Sequence, residues 1–230
     1  MLDWQPKAPY TAEQLLEILR ILRDPENGCP WDKVQTHASI RKNFLEETCE
    51  ALEAIDADDP QLMQEELGDV LMQVAFHTCM EQETGRFTWE QVCDGVCQKL
   101  IERHPNIFGT QPGYEGITDW DALKNKEKGR RTLADDLESV PRAMPALMRA
   151  AKLQKRAARH GAALQGADAA ALADAAENLQ TAQPASAQAV QAVGELLFAA
   201  ANLARQAGVD PEQALQKANE AFCTAAGPVA

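Results

Sequence analysis

The sequence SIRKNFLEETCEALEAIDADDPQLMQEELGDVLMQVAFHTCMEQE, residues 39–83, decides the fold. Ala, Leu, Glu and Gln dominate it, residues that favour helix, and strand-like alternation is scarce. Its interruption is Asp56 to Gln61, where Pro60 suits the first turn of a new helix. The stretch reads as two helices, about Ser39 to Ala57 and Asp59 to Glu83. Their connection is short enough to make them antiparallel neighbours.

The acids on this pair are spaced to meet. Glu47 and Glu50 are three apart, Glu46 and Glu50 four apart, and Glu66 and Asp69 three apart, so each set shares a helical face. Carboxylates at such spacing repel unless a cation compensates. Mg²⁺, a hard ion with oxygen ligands, is the natural candidate, whereas a transition metal would more typically draw on His or Cys. A chain with 35 acidic residues also produces such pairs on solvated faces, and Glu53 and Glu65 read that way. From spacing alone both readings stand. Two features favour the metal. Phe44, Leu45, Leu52, Leu67 and Leu71 bring part of the acidic face near a core. Gly68, in mid-helix, costs about 1 kcal/mol relative to Ala, which close approach of another helix would explain. His77, two turns beyond Asp69, reads as a packed or surface histidine.

Outward from this pair the helical pattern continues. Thr11 can cap a helix to about Arg23, with Leu15, Ile18, Leu19 and Leu22 on one face. Asp24 to Asp32, with Pro25, Gly28 and Pro30, is a loop. A helix from Thr88 to Arg103 ends before Pro105. Residues 109–131 are polar, with a short helix expected near Trp120 to Lys126; the run Lys124 to Arg131 holds five basic residues against one acid. A long helix follows Pro141 or Pro145 to about His160 and could join two halves. The Ala-rich remainder reads as helices near 168–182, 186–207 and 210–222. A faint repeat matches Leu67-Gly68-Asp69-Val70-Leu71-Met72 with Val193-Gly194-Glu195-Leu196-Leu197-Phe198, and Gln98-Lys99 with Gln216-Lys217. The fold class is all-α.

Charge and cysteines narrow the function. A net charge of -13 argues against nucleic acid, which a basic face would grip, but not against nucleotides held through a metal and a local basic patch. No stretch approaches the roughly 20 apolar residues of a membrane span, and no basic-then-apolar leader begins the chain. Of the six cysteines only Cys93 and Cys97 stand a turn apart, without a second ligand pair for zinc. Reduced thiols in the cytoplasm are the plain expectation.

The residues now on view resemble a known family. Glu46-Glu47-Thr48-Cys49-Glu50 followed by Glu66-Leu67-Gly68-Asp69 is similar to the EExxE…ExxD signature of MazG-type nucleoside triphosphate pyrophosphohydrolases. So are Leu22 to Asp32 with Gln35-Thr36-His37, Arg103 to Phe108, Pro145 to Ala150 and Leu215 to Asn219, which extends the likeness over nearly the whole chain. The resemblance implies tandem helical-bundle domains, at 1–135 and 136–230, and a homodimer. It implies Mg²⁺-dependent hydrolysis of NTPs and dNTPs to monophosphate and pyrophosphate, with Mn²⁺ able to substitute, in a house-cleaning role toward nucleotide pools. By motif position Glu47, Glu50, Glu66 and Asp69 would hold metal. Glu46, with Glu47, would serve catalysis by orienting water or supporting a second ion. Lys99 and Arg103, one turn apart, would bind phosphates, and Trp120 the nucleotide. The alternative is a non-catalytic nucleotide-binding regulatory or dimerisation module.

The second half departs from the pattern. Aligned on the repeat, it keeps Glu177 and Glu195, while Gln180 and Ala192 stand where carboxylates are expected. The chain also reaches Ala230 without the basic, Trp-containing tail of a second nucleotide pocket. The expectation is a catalytically silent C-terminal half.

Overall fold

The computed structural model describes residues 4–5, 7–105, 107–109, 129 and 132–227. Among them every regular element is helical. They fall into two compact units, within residues 1–116 and 117–230. That division lies upstream of the 135/136 boundary expected from the sequence, which would cut through a short helix.

The first unit holds α1 (Ala12–Leu22), α2 (Arg41–Asp56), α3 (Pro60–Glu83) and α4 (Trp89–Arg103), with a 3₁₀ turn at Asp32–Val34. Thr11 and Gln14 form a capping box that starts α1. Asp59 caps α3, its carboxylate accepting from the backbone N–H groups of Gln61 and Leu62, with Pro60 following at the first helical position. Asp58 takes a positive φ of 51° in the three-residue link and lets the chain reverse. The core lies between α1 and the C-terminal half of α3: Leu16 and Leu19 pack with Ala75, Phe76, Cys79 and Met80, closed by Ile40. The N-terminal half of α3 therefore keeps Leu62, Leu67 and Leu71 exposed, as α2 keeps Leu45, Leu52 and Ile55.

The loop after α1 is fastened by one buried cation. Arg23 spans both oxygens of Glu83, at 2.5 and 2.8 Å, and donates to the carbonyls of Asp32 and Gln35. Its guanidinium also lies over the Phe76 ring, 5.2 Å from the centroid. Gly28 sits where a Cβ would fall 2.4 Å from the Asp24 carbonyl oxygen, so only glycine fits. The glycine in the GCPWD segment thus has a steric cause.

The second unit holds α5 (Leu133–Glu138), α6 (Ala146–Arg159), α7 (Ala169–Thr181), α8 (Ala187–Gln206) and α9 (Pro211–Ala226). Its core is built of small side chains: Ala157, Ala167, Ala175, Ala192, Ala199 and Ala201 are buried. Asp136, fully buried, is clamped by Arg156 at 3.0 Å and Arg159 at 2.6 Å. Helix α5 was not foreseen; Thr132 caps it in a box with Asp135, a signal that a six-residue helix leaves short. Helix α6 begins at Pro145 rather than Pro141 and packs on α8. Helix α9 runs on to Ala226, past the expected end near residue 222. The short helix expected at Trp120 to Lys126, and the basic run beside it, lie outside the described residues.

Candidate metal centre

Helices α2 and α3 lie side by side, as their short link requires, and three acids converge between them. One carboxylate oxygen each of Glu47, Glu66 and Asp69 all lie within 4.8 Å of one another, each residue half-buried. Glu50, exposed, stands outside that tight group but close enough to act on it. The Glu47 carboxyl is held above its ordinary value, first by partial desolvation and then by repulsion from Asp69 and Glu50. Glu66 is raised as well, by desolvation and then by Glu50 and Asp69. The set is all carboxylate oxygen, and its members repel one another; both traits fit a hard divalent cation.

Other expected residues fall elsewhere. Glu46 is not one of the trio and pairs with Lys42 at 2.8 Å, one turn back on α2. Lys99 and Arg103 sit on α4, which packs against α3. Trp120 lies outside the described residues. Gly68 corrects an expectation: a Cβ built there meets nothing within 4 Å, so among the described residues no helix approaches it closely. The same holds for Gly194.

Two neighbours of the acids were not foreseen. Gln73, buried, donates its side-chain amide to Glu47 at 3.4 Å and stands one turn beyond Asp69. One further turn along the same face is His77, and one more is Glu81. The loop pinned by Arg23 brings His37 onto this row. The imidazoles of His37 and His77 stack at 5.0 Å, with their Nδ1 atoms 2.7 Å apart. His37 Nε2 lies 2.6 Å from Glu81, which Arg86 also grips at 2.7 Å. Of the two facing Nδ1 atoms one must donate and the other accept, so the two imidazoles cannot both carry a proton there. Burial and then the facing His37 hold the His77 pKa below its ordinary value. His77 is thus a packed histidine, as the sequence suggested. The signal for the row was the i, i+4 series Asp69, Gln73, His77, Glu81; only the fold could add His37.

The three converging acids fall within the segment, residues 35–108, that matches the family described as the MazG nucleotide pyrophosphohydrolase domain. Over 221 residues the chain is 42% identical to a nucleoside triphosphate pyrophosphohydrolase of Escherichia coli K12, covering 91% of this chain and 83% of the relative. The chain belongs to the MazG family. A Thermotoga maritima relative, named nucleoside triphosphate pyrophosphohydrolase/pyrophosphatase MazG, is 38% identical over 218 residues, 94% of this chain and 84% of its own. A Mycobacterium tuberculosis nucleoside triphosphate pyrophosphohydrolase is 34% identical over 154 residues, 65% of this chain and 46% of its own. The family match covers α2, α3 and α4 and stops before the second unit. Among the described residues no helix is long and apolar enough to cross a membrane.

In the second unit the repeat aligns α8 with α3. Glu195 lines a cleft of about 610 Å³ with Asp174, Asn178 and Phe198. Glu177, read from the sequence as a surviving acid, is exposed and does not line that cleft; Asp174 and Asn178 stand there instead. The repeat register sets buried Ala192 opposite Glu66 and buried Ala199 opposite Gln73.

Proposed function

We propose that the first unit hydrolyses nucleoside triphosphates between the α- and β-phosphates, with Glu47, Glu50, Glu66 and Asp69 holding Mg²⁺, or Mn²⁺ in its place. The observation that carries this reading is the convergence of Glu47, Glu66 and Asp69 within the segment that matches the family. When bound there, the ion neutralises the triphosphate and the charge that develops on the pyrophosphate leaving group.

The chain's own residues then divide the work. Gln73 fixes the orientation of Glu47 from behind. Glu46, released from Lys42, orients a water for in-line attack at the α-phosphorus. The new bond joins water oxygen to that phosphorus, the bond to the bridging oxygen breaks, and the water proton passes to a carboxylate of the cluster. Lys99 and Arg103 stabilise the phosphates from α4, and Trp120 contacts the nucleotide.

The assembly is a homodimer. Leu45, Leu52, Leu67 and Leu71 form an exposed apolar face around the open Gly68, a surface a second copy would cover. Six free cysteines accord with a reducing cytoplasm, and a role in clearing nucleotide pools follows from the activity. A panel of NTPs and dNTPs with pyrophosphate detection tests the reading. Mg²⁺-dependent release, abolished by chelation and by Asp69→Asn, is expected. Nucleotide binding without turnover of any of them would replace it with the regulatory module.

A further inference from the structure

The second unit carries a cleft whose lining has an excess of cations over acids and which the proposed reaction does not use. A cleft of about 410 Å³ between α6, the end of α8 and the start of α9 is lined by Lys152, Lys155, Arg205 and Asp210, among others. Lys152 and Lys155 stand on one face of α6, three residues apart, with no hydrogen bond or ion pair among the described residues. By contrast Arg156 and Arg159 of the same helix are both spent on Asp136.

Arg205 is held in place rather than merely present. Its Nε and Nη2 both donate to the side-chain oxygen of Asn202, at 3.0 and 2.7 Å. Asn202 is itself buried and donates to the Ala167 carbonyl at 2.6 Å. The partner is a neutral amide, so the guanidinium is oriented without losing its charge. Two acids stand nearby, and both are committed. Asp210 accepts from the N–H groups of Glu212 and Gln213 at the start of α9, and Glu212 accepts from the N–H of Met148 in the first turn of α6. These bonds hold the carboxylates at the helix ends without cancelling their charge, so the cleft lining sets three cations against one acid, Asp210.

We infer that this cleft is a metal-independent site for a compact di- or triphosphate group, free or at the end of a nucleotide, separate from the acid cluster of the first unit. Three cations against one acid around a concave space leave an excess of positive charge that suits such a group, with Arg205 supplying a fixed planar fork. An extended polyanion is disfavoured by the net charge of -13 on the whole chain. The inference stands whether or not the first unit turns over nucleotides.

The test is calorimetry on the full chain in excess EDTA at low salt, with inorganic pyrophosphate in one arm and an α,β-methylene nucleoside triphosphate in the other. Chelation leaves the first unit's acids to repel both probes. One site per chain is expected for pyrophosphate, weakened by about tenfold or more in Lys152→Glu/Lys155→Glu and retained in Lys152→Arg/Lys155→Arg. Tighter binding of the nucleotide than of pyrophosphate would identify the group as a nucleotide's, and the reverse as a free anion. Should the double Glu variant fold poorly, Arg205→Gln alone reads the same loss. The absence of binding by both probes overturns the inference, as does binding that survives these substitutions.

Discussion

The helix pairs α2/α3 and α7/α8 are built alike and furnished differently. Each is an adjacent pair with a glycine in its second helix, Gly68 or Gly194, open to space. In the first pair a polar row runs along α3 through Glu66, Asp69, Gln73, His77 and Glu81. In the repeat register the second pair sets Ala192, Glu195, Ala199, Leu203 and Ala207 at those places. In that register the acid at the Asp69 place is kept, as Glu195, while the places of Glu66, Gln73, His77 and Glu81 are all apolar. A buried carboxylate without a supporting amide or a counter-ion is a cost, whereas a buried methyl group is not. The difference between the pairs is thus less in the acid itself than in the row of polar groups behind it, which only the first pair carries.

The sharpest way to break this comparison is to remove one acid from each pair. Asp69→Asn should lower pyrophosphate release by about a thousandfold or more, the loss of several kcal/mol of metal-borne stabilisation. Glu195→Gln should leave the rate unchanged. The opposite pattern would move the reaction to the second unit. Next in size is a difference in how the units are anchored. The first relies on a buried cation whose partner Glu83 is partly exposed, the second on a buried anion between two arginines. Asp136→Ala strands two guanidinium groups and should cost about 3–5 kcal/mol in chemical denaturation.

Gln73→Leu tests the row itself. It keeps the volume and removes the donor to Glu47, so metal affinity by calorimetry should fall by about 10- to 100-fold, with the fold intact. Ala199→Gln in the second unit should create no metal binding. Gly68→Ala and Gly194→Ala come next, each expected to raise stability by about 1 kcal/mol or less, because the added methyl meets open space in both. A loss confined to Gly68→Ala would show a partner copy closing on that face.

The smallest effect is the pH dependence of the metal-free protein. Glu47 and Glu66 titrate above their unfolded value, so across that interval the fold binds more protons than the unfolded chain. Stability should therefore fall as pH rises from the ordinary carboxylate value through the raised one, and remain lower above it. Melting temperatures in EDTA measure this, and Glu47→Gln/Glu66→Gln should flatten the slope. Metal removes the penalty, so the gain in stability from added Mg²⁺ should grow with pH.

Much of this was legible in the chain itself. Residues 39–83 announced two antiparallel helices because Pro60 and the helix-forming residues around it act locally, and the structure ends them within two residues of the expected places. The acid spacings of three and four likewise fix which side chains share a face, whatever the rest of the molecule does. What only tertiary structure decided were contacts between distant segments. Three of the acids meet, while Glu46 turns to Lys42 because a helical face spans an arc and a partner helix covers part of it. His37 reaches His77 because Arg23 pins the intervening loop across a gap of sixty residues to Glu83. Gly68 was read as a place of close approach, yet the face beside it is open, since propensity records that a glycine is costly and not what the space around it holds. The locked Arg205 and the unpaired lysines beside it belong to the same class: charge is written in the sequence, but whether it is neutralised depends on which helices pack together.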